Sequence, residues 1–284
     1  MPSVRVHEDY VEEVVDAILE GRMFREIVLK ELFRRTIREV GRLIEIIVSQ
    51  KTDETDWWKK RLIEEYSGNT DDLIRFGGLY RKTIRNIRRR ASREVCREEC
   101  MISYDIIEKL LDEIEGEIPS LSIDIEFHGE KVRLSSHDAY RLLLTVISIG
   151  GAVRGGIWSE IGKRAGPRIL KRIFGELGIA ESRLLNPNFY YTLEVVNEGR
   201  ETDAEIFYMG KRVHRVEIKL LGIGNPEIGN EAIARRCDIF LVDDLTTLMK
   251  EQAKQHGVRV ILLKNALKEL YELFVQEGLP VKKP

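Results

Sequence analysis

Apolar residues recur at helical spacing through the first 115 residues: Val11, Val14, Val15 and Ile18, then Ile27, Leu29, Leu32 and Phe33, then Ile37, Val40, Leu43, Ile44 and Ile47. That rhythm predicts amphipathic helices. The polar stretch KTDETD (51–56) interrupts it before an amphipathic WWKKRLIEEY, and SGNTDD (67–72) supplies the next cap and turn. Helical periodicity resumes in a strongly basic segment from Leu79 to Arg97, and again from Ile102 to Ile114. The pattern then changes. SIDIEF (122–127) and KVRLS (131–135), either side of HGE, alternate as a short β-hairpin does. A helix is predicted over HDAYRLLLTVISIGGAV, and two helical pieces over RGGIWSEIGKRAGPRILKRIFGELG, broken around Gly166–Pro167. From Asn188 the alternation is strand-like, in FYYTLEVV, DAEIFYM and VHRVEIKLL, the last two joined by a tight turn at Met209–Arg212. A helix (227–236), the strand DIFLV, a helix (246–256), the strand VRVILL and a helix (266–277) complete the chain. A meander feeding β-α-β-α implies an α/β fold, a mixed β-sheet core flanked by helices. The expected division is a helical region over 1–115 and an α/β domain over 116–284.

Composition narrows the function classes. The 284 residues carry 46 Lys+Arg and 48 Asp+Glu, a net charge of −2, so any polyanion-binding surface is local. No uninterrupted apolar run approaches about 18 residues, so no membrane span is expected, and the start MPSVRVHEDYVEEVV has no apolar signal core. Three cysteines (Cys96, Cys100, Cys237) form no CxxC pair and read as reduced cytosolic thiols, which points to the cytoplasm. Five scattered histidines have no zinc-ligand spacing, and no Walker loop or GxGxxG is present. Eight Asn and four Gln beside abundant Glu, Lys and Arg hint at a heat-adapted source.

The chemistry concentrates in RETDAEIFYMGKRVHRVEIKLLG, 200–222. Strand side chains alternate, so Val216, Ile218 and Leu220 share one face while Glu217 and Lys219 share the other. If the hairpin turns about Gly210, positions summing to 420 face each other, which sets Asp203 across from Glu217. Facing carboxylates on a buried sheet repel and need a cation. An all-oxygen set suits Mg²⁺, with the Ile218 carbonyl as a further ligand, and Lys219 beside it can orient a water and stabilise charge on phosphorus. The bland alternative is a solvated Glu–Lys pair, since about two ExK triplets arise by chance in so charged a chain.

Asp203 followed by Glu217-x-Lys219 across a short hairpin resembles the PD-(D/E)xK nuclease superfamily. More narrowly, RGGIWSEIGKR (154–164), RETD (200–203) and VEIKLLGIGNPEIGNEAIAR (216–235) resemble the CfrBI-like family of type II restriction endonucleases, over roughly residues 140–280. The resemblance implies a restriction-endonuclease-like sheet, Asp203, Glu217 and Lys219 as catalytic residues, Mg²⁺ as cofactor, double-stranded DNA as substrate and a cognate DNA methyltransferase as cellular partner. Thr202 stands where the superfamily has Pro, as in many restriction enzymes. Cutting both strands of a palindrome further implies a homodimer, whose two-fold axis mirrors the site.

Three more features bear on this reading. Glu160, on a helix before the sheet, is the auxiliary acid by resemblance; a surface pair with Lys163 or Arg164 is the alternative. The loop after the catalytic lysine offers Asn225, Glu231 and Arg235 to DNA, or is an ordinary strand-to-helix connection. RKTIRNIRRRASREVCR (81–97) holds eight cations against one acid. Arg81, Arg85 and Arg88 fall on one face for phosphate contact, Lys82 and Arg89 add charge, and Arg85 and Asn86 carry groups that read base edges. The alternative is a solvated helix neutralised by acidic neighbours. Trp57 and Trp58 are expected as core or interface anchors. Two rival functions remain open: a structure-specific repair or recombination nuclease of the same superfamily, and a non-catalytic DNA-binding regulator.

Overall fold

The computed structural model describes residues 7–197, 200–220 and 237–284. The helix expected over 227–236 lies outside them. The chain divides into two compact units, Lys30–Gly156 and Ile157–Pro284 together with the chain up to Leu29. The boundary expected at 115/116 falls inside the first unit, because the 122–135 hairpin and the helix after it belong there.

The first unit contains most of α2 (Phe24–Gln50), a π-helical segment (Trp58–Glu64), α3 (Thr70–Phe76), α4 (Arg81–Arg88), α5 (Arg93–Glu113), the hairpin β1 (Ile123–Phe127) and β2 (Glu130–Leu134), and the start of α6 (Ser136–Glu176). Local signals set the boundaries. The Asn69 side chain accepts the Asp72 N–H at 2.9 Å to start α3, and Ser92 Oγ accepts the Val95 N–H to start α5. WWKKRLIEEY closes with an i→i+5 bond, Glu65 N–H to Lys60 O, and its wider turn buries Trp58, Leu62 and Ile63 together. Those residues join Leu43, Ile47, Leu73, Phe76, Ile84, Cys100 and Leu142 in one core. Both tryptophans are anchors with their polar ends satisfied: Trp57 Nε1 donates to Asp138 at 3.0 Å and Trp58 Nε1 to the Phe76 carbonyl at 3.1 Å. Truncating either removes about 3–5 kcal/mol.

The second unit holds α1 (Glu8–Leu19), the rest of α6, and the sheet β3 (Phe189–Asn197), β4 (Arg200–Tyr208), β5 (Lys211–Lys219), β6 (Ile239–Val242) and β7 (Arg259–Leu262), with α7 (Thr247–His256) and α8 (Ala266–Gln276). α6 runs 41 residues through Pro167, where a break was expected. The lost backbone bond and ring clash cost about 3 kcal/mol, outweighed by burial of Ile161, Ala165, Ile169, Leu170, Ile173 and Phe174 on either side. An acid–arginine ladder ties α1 to α6: Arg168 pairs with Glu12 at 3.0 Å and with Glu8, and Arg172 pairs with Glu12 at 2.6 Å and with Asp16. Equal i, i+4 spacing on both helices keeps the pairs in step.

The sheet order is β3-β4-β5-β6-β7, antiparallel through β5 and parallel from β5 to β7. β5 is therefore central, which suits its buried half, and β6 is buried at all four positions. Among the described residues, α6 alone is long and apolar enough to cross a membrane by length and composition, with an 18-residue window of mean hydropathy 1.4. Counting uninterrupted apolar runs missed it, since Ser, Thr and Gly break the run while the average stays high. Its C-terminal half nonetheless forms the core beneath the sheet.

Candidate active site

The β4–β5 hairpin builds the site. Met209 (φ 50°) and Gly210 (φ 77°) both sit in the left-handed region, as a two-residue type I′ turn requires. Such a turn pairs Tyr208 with Lys211 and Phe207 with Arg212, positions summing to 419. One further residue, Val213, is bulged out, and beyond it Ile206 pairs with His214 and Ala204 with Val216, positions summing to 420. The expected sum of 420 thus arises from a tighter turn plus a bulge. One step beyond the last paired rung lie Asp203 and Glu217. There the Ile218 N–H donates to Asp203 Oδ2 at 2.8 Å, which holds the carboxylate against β5.

Alternation assigns the faces. Asp203 and Glu205 on β4 share a face with Arg215, Glu217 and Lys219 on β5, and with Phe240 and Val242 on β6, which pack against Met249 of α7. The opposite face carries His214, Val216 and Ile218. The His214 ring lies 5.3 Å from Phe274 of α8 and its Nε2 lies 2.6 Å from Glu277, while a Cβ on Gly166 of α6 would come 3.1 Å from Ile218. Glu217 is 2% exposed, with Asp203 and Lys219 half-buried, so the pair is no solvated surface feature.

Sequence reasoning missed Glu205. It is as buried as Glu217, at 2%, and its Oε1 accepts from Arg212 Nη1 at 3.0 Å and from Arg215 Nε at 3.3 Å. The available signal was parity, since 203 and 205 share a face. The bulge that also brings Arg212 onto that face is invisible in the sequence.

Glu160 on α6 is ion-paired with Arg164 at 3.0 Å, the i, i+4 partner weighed as the alternative. Asn225, Glu231 and Arg235 lie outside the described residues. The basic segment divides. Arg81 bonds Asp71 at 2.9 Å, Arg88 bonds Glu98 at 3.2 Å and also Glu99, Arg93 bonds the Gly68 carbonyl at 2.6 Å, and Arg97 bonds the Ile63 and Tyr66 carbonyls at 3.2 Å. These four organise the first unit. Lys82, Arg85, Asn86, Arg89 and Arg90 are exposed, and among the described residues the ion pairs formed by α4 use only Arg81 and Arg88. The open cationic face is therefore Lys82–Arg85–Arg89, at i, i+3 and i+7, and of the anticipated trio Arg81, Arg85 and Arg88 only Arg85 lies on it.

The model of the CfrBI restriction endonuclease family matches residues 8–250. The chain belongs to the CfrBI restriction endonuclease family. The match takes in the helices and basic segment of the first unit and stops within α7, so it reaches further toward the N-terminus than the 140–280 expected from the motifs. Membership implies a DNA endonuclease. No curated protein matches the chain. The crystal structure of protein VC1899 from Vibrio cholerae is similar over 79% of this chain at 11% identity with a TM-score of 0.29, and the chain spans 58% of that protein's length. So low a likeness carries no argument about fold or activity.

For a CfrBI-family chain a divalent cation is the implied cofactor, and the donor set fits one. Two carboxylates from facing strand positions, beside the Ile218 carbonyl, are hard oxygen ligands of the kind Mg²⁺ takes. A second acidic group lies in the first unit, where Glu108, Asp112 and His137 bring ligand atoms within 4.8 Å. Spacing hid it, because α5 and α6 supply its parts. The Arg141 guanidinium already sits against Glu108 and 3.2 Å from Asp138, so that group has its cation.

Proposed function

We propose that this chain is a Mg²⁺-dependent, sequence-specific endonuclease of the type II class, hydrolysing both strands of double-stranded DNA at a short palindromic site. The observation that carries the reading is the end of the β4–β5 ladder, where the Asp203–Ile218 bond at 2.8 Å sets Asp203 beside Glu217 on the face that Lys219 shares. In this reading the sheet is the restriction-endonuclease-like core within 116–284, and the helical 1–115 region carries the DNA contacts.

Asp203 and Glu217 would hold the cation, which when bound supplies Lewis-acid polarisation of the phosphodiester and a more acidic water. The Ile218 N–H keeps Asp203 in place. Lys219 Nζ orients the attacking water for in-line displacement and stabilises the charge growing on the phosphoryl oxygens. Glu160, on the α6 helix that packs Gly166 on β5, is the auxiliary acid of this scheme, oriented by Arg164. Lys82, Arg85 and Arg89 follow the phosphate backbone, with Asn86 between them for a base edge. Arg81 and Arg88 support that helix, and Asn225 and Arg235 complete the proposed DNA contacts. A homodimer presents two such sites to a palindrome, and a methyltransferase of matching specificity protects the host DNA.

The test is digestion of a sequenced phage genome with Mg²⁺ at 37 °C and about 65 °C, the hotter arm following the amide-poor composition. Discrete bands that disappear in Asp203→Ala and Lys219→Ala are expected. Nicking that follows DNA structure would replace this reading with a repair nuclease. Intact DNA that shifts on a gel would leave a non-catalytic binder.

A further inference from the structure

Only Gly77 to Tyr80 connect α3 to α4, and both helices pack on α5. α3 ends in a Schellman arrangement: Gly78, at φ 67°, donates to the Arg75 carbonyl at 2.8 Å, and Leu79 donates to the Ile74 carbonyl at 3.1 Å. Side chains hold three further carbonyls of this turn. Trp58 Nε1 donates to Phe76 O at 3.1 Å, Ser103 Oγ to Gly77 O at 2.7 Å, and Ser148 Oγ to Leu79 O. A Cβ on Gly77 would come 2.9 Å from the Cα of Cys100, so a glycine there lets the turn close onto α5. Beyond the turn, Ile84 of α4 is fully buried in the core that holds Leu73, Phe76 and Cys100. A helix, a short glycine turn and a second helix, both packed on a third, make the arrangement of a helix–turn–helix head, whose second helix reads DNA.

Ile84 fixes which side of α4 points outward. At about 100° per residue, Lys82, Arg85, Asn86 and Arg89 form a stripe on the side away from it, as two i, i+4 lines: Arg85–Arg89 and Lys82–Asn86. All four are exposed, and none has a side-chain hydrogen bond or ion pair among the described residues. The stripe is costly to the free protein. The first turn of α4 carries Arg81 and Lys82 and no acid, at the end where the helix dipole is positive. Arg85 also has a like charge at i−3 and at i+4. A polyanion relieves both costs. Asn86 differs from its neighbours, since an uncharged amide adds little pull on phosphate, whereas its donor and acceptor match adenine N7 and N6 on the major-groove edge.

We infer that α3, the Gly77–Tyr80 turn and α4 form a helix–turn–helix head that seats α4 in the major groove of duplex DNA, and that Asn86 is the specificity-determining residue that reads an adenine there. The inference rests on the nuclease reading above for its ligand, duplex DNA, and adds to it the groove, the reading element and the base. Lys82, Arg85 and Arg89 hold phosphates and fix the register of α4, while Asn86 separates one base pair from the other three.

Binding-site selection tests this on the full chain carrying Lys219→Met, with Mg²⁺ present, so that binding is read without cleavage. Duplexes retained from a random pool are sequenced, and gel shifts give the affinities. This parent should enrich a site with an A·T pair at which Asn86→Ala loses discrimination by about tenfold, while the other positions and the salt dependence stay as they were. Replacing that adenine with 7-deazaadenine, which lacks the N7 acceptor, should weaken the parent severalfold and leave Asn86→Ala unchanged. A site preference unaltered by Asn86→Ala would overturn the inference and leave the nuclease reading standing. Equal weakening of both proteins by 7-deazaadenine would overturn it too, because the contact would then belong to another residue. A parent that holds duplex DNA but enriches no sequence would end the site-specific reading, and the inference with it.

Discussion

Neutralising Glu217 should make the metal-free protein more stable while ending its activity. Glu217 is 2% exposed and lies one rung beyond the Ala204–Val216 pair, across from Asp203. Directly opposed residues have Cβ atoms about 5 Å apart. Two carboxylates at that spacing, at an effective dielectric near 20, repel by about 3 kcal/mol. Lys219 on the same face and the Ile218 N–H on Asp203 offset part of this, which leaves about 1–2 kcal/mol to be gained from Glu217→Gln. In a chain of 284 residues that corresponds to a rise of about 2–3 °C in Tm. The assay is thermal melting in EDTA and again in about 10 mM Mg²⁺. Wild type should rise with Mg²⁺ by mass action, and Glu217→Gln should not, despite starting higher. A lower Tm for the variant in EDTA, or an intact Mg²⁺ response, would refute the claim that these two acids oppose each other and share a cation.

The remaining expectations are narrower. Lys82→Ala, Arg85→Ala and Arg89→Ala should each weaken DNA binding and reduce the salt dependence by about one phosphate contact, whereas Arg81→Ala and Arg88→Ala should chiefly lower Tm; equal salt slopes across all five would refute the division of the basic helix. Lys219→Met should abolish cleavage while leaving the gel shift intact, because Lys219 acts on the reaction rather than on groove contacts. Met209→Asn should stabilise by about 0.5–1 kcal/mol in urea titrations, since Met209 sits at φ 50° in the turn and Asn tolerates that region better. Burial pushes the Cys100 thiol up from its ordinary value near 9 to about 12. The folded state therefore holds that proton where the unfolded chain releases it, so this contribution to stability is full below pH 9 and is lost as pH rises toward 12. Urea midpoints measured at pH 8 and pH 10.5 check the sign, and Cys100 should resist alkylation in the native protein at pH 8.

Periodicity alone revealed the helical first third, the hairpins, and the alternation that puts Glu217 and Lys219 on one face with Val216 and Ile218 on the other. These are properties of a few adjacent residues, and side-chain alternation follows from backbone geometry whatever the rest of the chain does. The motifs 154–164, 200–203 and 216–235 also sufficed to suggest the family, which the match over 8–250 shows. Only the folded chain decided matters that depend on distant partners. Pro167 stays inside α6 because apolar residues around it are buried, an energy that no local propensity contains. Arg81 and Arg88 are drawn from the helix surface into ion pairs with Asp71, Glu98 and Glu99, so tertiary neighbours select which cations remain open. The register of 420 depends on the bulge at Val213, a single-residue displacement that local propensity leaves undetermined. The bulge also brings Arg212 onto the acidic face, beside Glu205 and Arg215. Charge and spacing are written in the sequence, but which charges meet is set by packing, because an ion pair forms only where the fold has already brought its two strands or helices together.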